Sequence, residues 1–148
     1  MVLVTDELRV HLHYTMRGSY PLRLLDVLFC TERAYFVEYD YLTPVDLVFG
    51  SPDQRAAAFA SRVVEEGVPA AIETAEAVET QPYDTLDGID IHSGGRVGRP
   101  KITARPRTGA ATTVRVHGQF DTEPFTQALQ STVEGHGVTV RQRDGIGF

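Results

Sequence analysis

From Leu8 to Met16 every second residue is apolar. Leu8, Val10, Leu12, Tyr14 and Met16 form one set, and Arg9, His11, His13, Thr15 and Arg17 the other. A period of two places the sets on opposite faces of an extended chain, so Glu7 to Arg17 is predicted as a half-buried antiparallel strand with one wet face. Gly18-Ser19-Tyr20-Pro21 breaks it before the apolar strand Leu22 to Cys30. After Thr31-Glu32-Arg33 comes a third strand, Ala34 to Tyr41, in which Tyr35, Val37, Tyr39 and Tyr41 alternate with Phe36, Glu38 and Asp40. Pro44 ends it, and Val45 to Phe49 is read as a short fourth.

The pattern then turns helical. Ser51 and Gln54 have capping-box spacing and Pro52 suits a first helical turn, while Gly67 closes the helix. Ala56, Phe59, Ala60, Val63 and Val64 form its apolar stripe, which is expected to dock on the sheet. Pro69 to Thr80 fits either a second short helix or an extended edge. Beyond Pro82, Ile89 with Ile91, Ile102 with Ala104, and Val114 with Val116 mark three strands separated by glycine turns, a meander. Asp121 or Thr122 caps a last helix with Phe125, Ala128, Leu129 and Val133 on one face and Gly135 after its end. Val138 to Arg141 is read as a final strand and residues 143–148 as a tail. The expected fold is α+β and mainly β: two packed antiparallel sheets or a partly open barrel. The C-terminal helix covers one end, and a helical insertion at 51–80 docks outside.

A chain of 148 residues fits one domain able to bury about 70% of its unfolded surface. The lone Cys30 has no disulfide partner and lies in an apolar run, so a buried thiol in a reducing, cytoplasmic setting is expected. No run reaches the roughly 18 apolar residues of a membrane span, and the N-terminus lacks the pattern of a signal peptide. The basic residues are 13 Arg and one Lys within a net charge of −6, a composition similar to that of proteins from high-salt cytoplasm.

Charge is unevenly distributed. Between Asp90 and Asp121 stand no acidic residue and six basic ones: Arg96, Arg99, Lys101, Arg105, Arg107 and Arg115. Clustered cations raise the local concentration of anions. Arg96 and Arg99 lie in or beside the turn Gly94 to Lys101, Lys101 and Arg105 project from one face of the next strand, and Arg115 stands on its neighbour. Together they are the candidate contacts for an acidic protein surface or an anionic ligand. The turn lacks the Gly-Lys-Ser or Gly-Lys-Thr ending of a nucleotide phosphate loop. Nucleic acid is an alternative partner, although Tyr35, Tyr39 and Tyr41 are not interleaved with the basic cluster as single-strand binders require. Self-association is a further expectation.

Strand, turn and strand with Phe29-Cys30-Thr31-Glu32-Arg33-Ala34-Tyr35-Phe36-Val37, and later Pro82-Tyr83-Asp84-Thr85-Leu86-Asp87-Gly88-Ile89-Asp90-Ile91, resemble the prokaryotic pleckstrin-homology-like and GRAM-like domains. The resemblance spans most of residues 7–135 and departs from the family at the helical insertion. It implies recognition of lipids or proteins, with no shared catalytic chemistry.

His11 and His13 stand two apart on one strand face, a spacing that can bring two imidazoles to one metal ion, but no third ligand is visible in sequence. His92 and His117 are expected on polar strand faces. Cys30 pairs formally with any histidine as nucleophile and base, yet burial should raise its pKa and leave it inert. Asp84, Asp87 and Asp90 read as turn and strand-edge carboxylates. No catalytic residue and no cofactor is expected. The reading is a non-enzymatic binding module, with a small metal-binding enzyme as the lesser alternative.

Overall fold

The computed structural model describes residues 6–18, 22–43, 51–94 and 99–143. In chain order these form β1 (Leu8–Arg17), β2 (Leu22–Cys30), β3 (Arg33–Leu42), α1 (Pro52–Glu66), α2 (Val68–Glu73), β4 (Ala77–Pro82), a 3-10 turn (Tyr83–Thr85), β5 (Leu86–His92), β6 (Lys101–Pro106), β7 (Thr112–Val116), α3 (Thr122–Val133) and β8 (Thr139–Arg143). The strand expected at Val45 to Phe49, Arg96 in the glycine turn, and residues 144–148 of the expected tail lie outside the described residues.

The fold is mainly β with a few helices. The strands form one open sheet of order β4-β3-β2-β1-β7-β6-β5-β8, which corrects the expectation of two packed sheets. The reason is β1, which pairs with β2 and also with β7 through Thr15 opposite Val116 and Met16 opposite Arg115. One strand thus belongs to both meanders and fuses them. All pairs are antiparallel except β5 with β8. The return through α3 allows that parallel edge. Gly88 lets it close: a Cβ there would stand 2.9 Å from the Thr139 carbonyl oxygen and collide with the Arg105 guanidinium.

The alternation read in β1 fails at two bulges. Register slips between Leu8 and Val10 and again between Leu12 and Thr15. Tyr14, at φ 60, adopts left-handed backbone. Each extra residue sends the side chains that follow to the other face. Leu12 therefore enters the core beneath α3 with Val27, Phe29, Phe36, Ile89 and Ile102, whereas Met16 packs with Leu24 and Leu42 on the opposite face. There, α1 and α2 cover β2 and β3 through Phe59, Val63 and Ala71 against Leu28, Tyr35 and Val37.

The helices keep their expected places but not all of their expected faces. In α1 the buried stripe is Ala56, Phe59 and Val63, and Val64 is 82% exposed, because a helix lying on one sheet face buries only a narrow stripe. The Ser51 hydroxyl makes no cap; its carbonyl oxygen accepts the N–H groups of Gln54 and Arg55 instead. In α3, Thr126 is buried with Leu129 and Val133 while Ala128 faces solvent, and Asp121 takes the N-cap position without a side-chain bond. The stretch Pro69 to Thr80 divides: α2 ends at Glu73, and β4 pairs with β3 from Ala77. The helical insertion is accordingly shorter than 51–80.

Leu129 has no exposed surface and joins α3 to the main core. Leu129→Ala is expected to cost about 2 to 5 kcal/mol, measured by chemical denaturation. A loss below about 0.5 kcal/mol, the size of an ordinary surface change, would mean that α3 is peripheral.

Candidate functional site

Two polar constellations occupy the sheet face opposite α3. The first contains the basic residues of the sequence reading. Ile89, Ile91, Ile102, Ala104, Val114, Val116 and Val140 point into or against the core beneath α3, so the residues alternating with them line the other face. The residues of α1 and α2 pack with those of β2 and β3, not with those of β5 to β8. Register sets Arg115 opposite Lys101, Lys101 opposite His92, and His92 opposite Arg143. With strands about 4.8 Å apart, this row spans about 15 Å. Arg141 stands one step along β8 from Arg143 on the same side, opposite Asp90. Lys101, Arg99, Arg141 and Arg143 are exposed.

The candidate cations are not equivalent. Arg105 donates from Nε to Asp90 at 2.9 Å and from Nη1 to Asp87 at 3.2 Å, lying across Gly88. Its charge is therefore matched within the chain. Arg115 is half-buried and donates to the Gly18 carbonyl. Arg96 lies outside the described residues. Arg141 and Arg143, which the reading of the Asp90 to Asp121 segment left aside, join the face only because β8 adds beside β5. A parallel edge strand 51 positions downstream of its partner, Gly88 to Thr139 and His92 to Arg143, leaves no local signal.

The second constellation was half visible. His11 and His13 are joined by Asp26 of β2, which has no exposed surface. Asp26 Oδ2 accepts from His11 Nε2 at 2.6 Å and from His13 Nδ1 at 2.9 Å. Oδ1 accepts from the Tyr14 N–H at 2.8 Å and the Tyr39 hydroxyl at 2.9 Å. The bulge at Tyr14 turns that N–H inward, and Tyr39 is held by a parallel stack on Phe59 of α1, with ring centroids 4.3 Å apart. Burial pushes the Asp26 carboxyl up, but the bonds from His11 and His13 more than reverse this and hold it below its usual range. His13 is raised by its bond to Asp26 against the opposing effect of burial. The signal that identifies Asp26 is its position: a carboxylate inside the run Leu24 to Cys30 must find partners when buried.

The other chemistry-bearing residues are separate. Cys30 is fully buried, and its thiol is pushed up to about 12, chiefly by burial, so it has no nucleophilic character. Asp90 is buried against Arg105, while Asp84 and Asp87 are exposed. A cavity of about 220 Å³ lies beside the cluster between β3 and α1, lined by Tyr39, Asp40, Arg55, Phe59 and Arg62 among others. His117 stacks obliquely on Tyr14, and burial, with Arg99 and Arg115 adding positive charge, lowers it from 6.5 to about 4.

His117 supplies a pH test. Its folded pKa lies below its unfolded one, so between pH 6.5 and about 4 the unfolded chain binds a proton that the folded chain refuses. Stability should fall as pH drops through that window, and His117→Gln should remove this component. Urea midpoints of both proteins across the window check it; parallel curves would exclude the effect.

No family model and no curated protein matches the chain. Among solved structures it is similar to the hSac2 domain from human phosphoinositide phosphatase Sac2, with a TM-score of 0.57 over 99% of this chain and 83% of that one, at 11% identity. At that identity the likeness is one of fold. No helix among the described residues is long and apolar enough to cross a membrane.

Proposed function

We propose that the chain is a non-enzymatic binding module of pleckstrin-homology-like type that recognises an acidic protein surface through the exposed cationic face of β7, β6, β5 and β8. The observation carrying this reading is the cross-strand row Arg115, Lys101, His92 and Arg143. Cations held at strand spacing on a rigid sheet need little ordering on binding, and Arg offers forked donors suited to carboxylates. The 220 Å³ cavity is lined by other residues. An extended partner suits the cationic face better than a small ligand that needs enclosure.

Two antiparallel meanders with a C-terminal helix over their shared core support the pleckstrin-homology-like assignment. The hSac2 domain belongs to a protein named for phosphoinositides, which are themselves anionic, and this agrees with an anion-directed face. Nucleic acid is the less supported partner, since the strand positions on this face carry no Phe, Tyr or Trp for base stacking.

Binding of an acidic polypeptide probe, poly-glutamate, should weaken steadily as salt rises. Charge reversal by Lys101→Glu with Arg143→Glu should reduce it at least about tenfold, the effect of 1.4 kcal/mol. Both side chains are exposed, so the melting temperature should stay within a few degrees. A double variant that binds like the wild type across the salt series would retire the proposal.

A further inference from the structure

We propose that His11, His13 and Asp26 form a binding site for a divalent transition-metal ion, with zinc as the ion of first choice. Their ligand atoms lie within 4.8 Å of one another. They converge from two adjacent strands on a single point, the Oδ2 atom of Asp26.

Three observations carry this. First, the donor set has the composition of a zinc centre with one position left over: two imidazole nitrogens and one carboxylate oxygen. Zinc bonds of 2.0 to 2.2 Å require neighbouring ligands about 3.3 Å apart in a tetrahedron. The nitrogen to oxygen distances of 2.6 and 2.9 Å must open by less than an ångström, and both rings have room to move outward: the His11 and His13 side chains are 20% and 38% exposed, against none for Asp26. The open fourth position therefore points towards solvent.

Second, the carboxylate is already oriented as a metal ligand is. Oδ1 is occupied by the Tyr14 N–H and the Tyr39 hydroxyl, so only Oδ2 faces the imidazoles. Outer partners of this kind fix a ligand's direction. Tyr39 is itself fixed by its stack on Phe59. Third, the arrangement exceeds what burying Asp26 demands. One imidazole with the Tyr14 and Tyr39 donors would satisfy the carboxylate, whereas the bulge that holds Tyr14 at φ 60 also brings the second imidazole to the same oxygen. The Tyr14 carbonyl secures that bulge by accepting the N–H groups of His117 and Gly118 at 2.9 and 3.2 Å.

The test uses the full chain, stripped with chelator and titrated with Zn²⁺ alone by calorimetry. One zinc per chain is expected, with a rise in melting temperature because the ion binds the folded state. His11→Ala with His13→Ala should abolish the stoichiometric site, which separates it from incidental binding at His92, His117 or His136. Tyr39→Phe retains the ring stack and removes the hydroxyl; it should weaken zinc ten- to a hundredfold, the usual effect of losing an outer partner. Should the double variant fail to fold, Co²⁺ added to the wild type decides the matter. Visible absorption of a four- or five-coordinate ion supports the site, and only the pale octahedral spectrum overturns it. Absence of zinc heat in the wild type, or unchanged stoichiometry and affinity in a folded double variant, also overturns it.

Discussion

Asp26 has no exposed surface and is flanked in β2 by Leu24, Leu25, Val27 and Leu28, all equally buried. An ionised carboxylate in such surroundings is tolerated only when donors reach it, since an unpaired buried charge costs several kcal/mol. Four donors do so, and three of them come from the stretch His11 to Tyr14 of β1. An ordinary strand could not deliver three consecutive contacts of this kind, because successive side chains point to opposite faces and the backbone N–H points sideways. The bulge at Tyr14 solves the geometry, and the need to satisfy Asp26 offsets the cost of left-handed backbone at a tyrosine, on the order of 1 kcal/mol or more.

The same bulge shapes the sheet as a whole. By switching faces after Leu12, β1 serves the core beneath α3 with Val10 and Leu12 and the opposite face with Met16. Its far end, Thr15 and Met16, is where β7 attaches. The seam between the two meanders is therefore only two residue pairs long and sits directly beside the buried carboxylate. What looks from topology like a join between halves is chemically a polar network sealed by Thr15, whose hydroxyl donates to the Leu25 carbonyl at 2.7 Å.

Strands and helices of strong period were legible in the chain: the pairing of β1, β2 and β3, the β5 to β7 meander, α1 and α3 all fall where periodicity places them. What escaped depends on contacts distant in sequence. Strict alternation in Leu8 to Met16 assigns Tyr14 and Met16 to the face of Leu12, and nothing local announces the bulges that undo this. The two expected sheets became one because a two-pair junction carries no pattern of its own. Asp26 was legible in principle as a charge in an apolar run, but its link to His11 and His13 required the register of β1 on β2. The basic face shows the opposite failure: six cations were counted in one segment, yet Arg105 is matched by Asp90 and Asp87, and Arg141 and Arg143 arrive from another.

The two polar constellations share one sheet face and meet at His117. It touches Tyr14 on one side and feels Arg99 and Arg115 on the other. Burial is the larger reason that its imidazole stays neutral, and the arginines add to it. Exposed charges act through water and ions with a reach of about 8 Å at physiological salt, falling to about 3 Å at molar salt. The arginine contribution is thus the part that salt or a bound acidic partner screens, while the burial contribution persists. It follows that the acid-side loss of stability tied to His117 should shrink only partly as salt rises, because moving ions into solution screens Arg99 and Arg115 without wetting the ring packed on Tyr14.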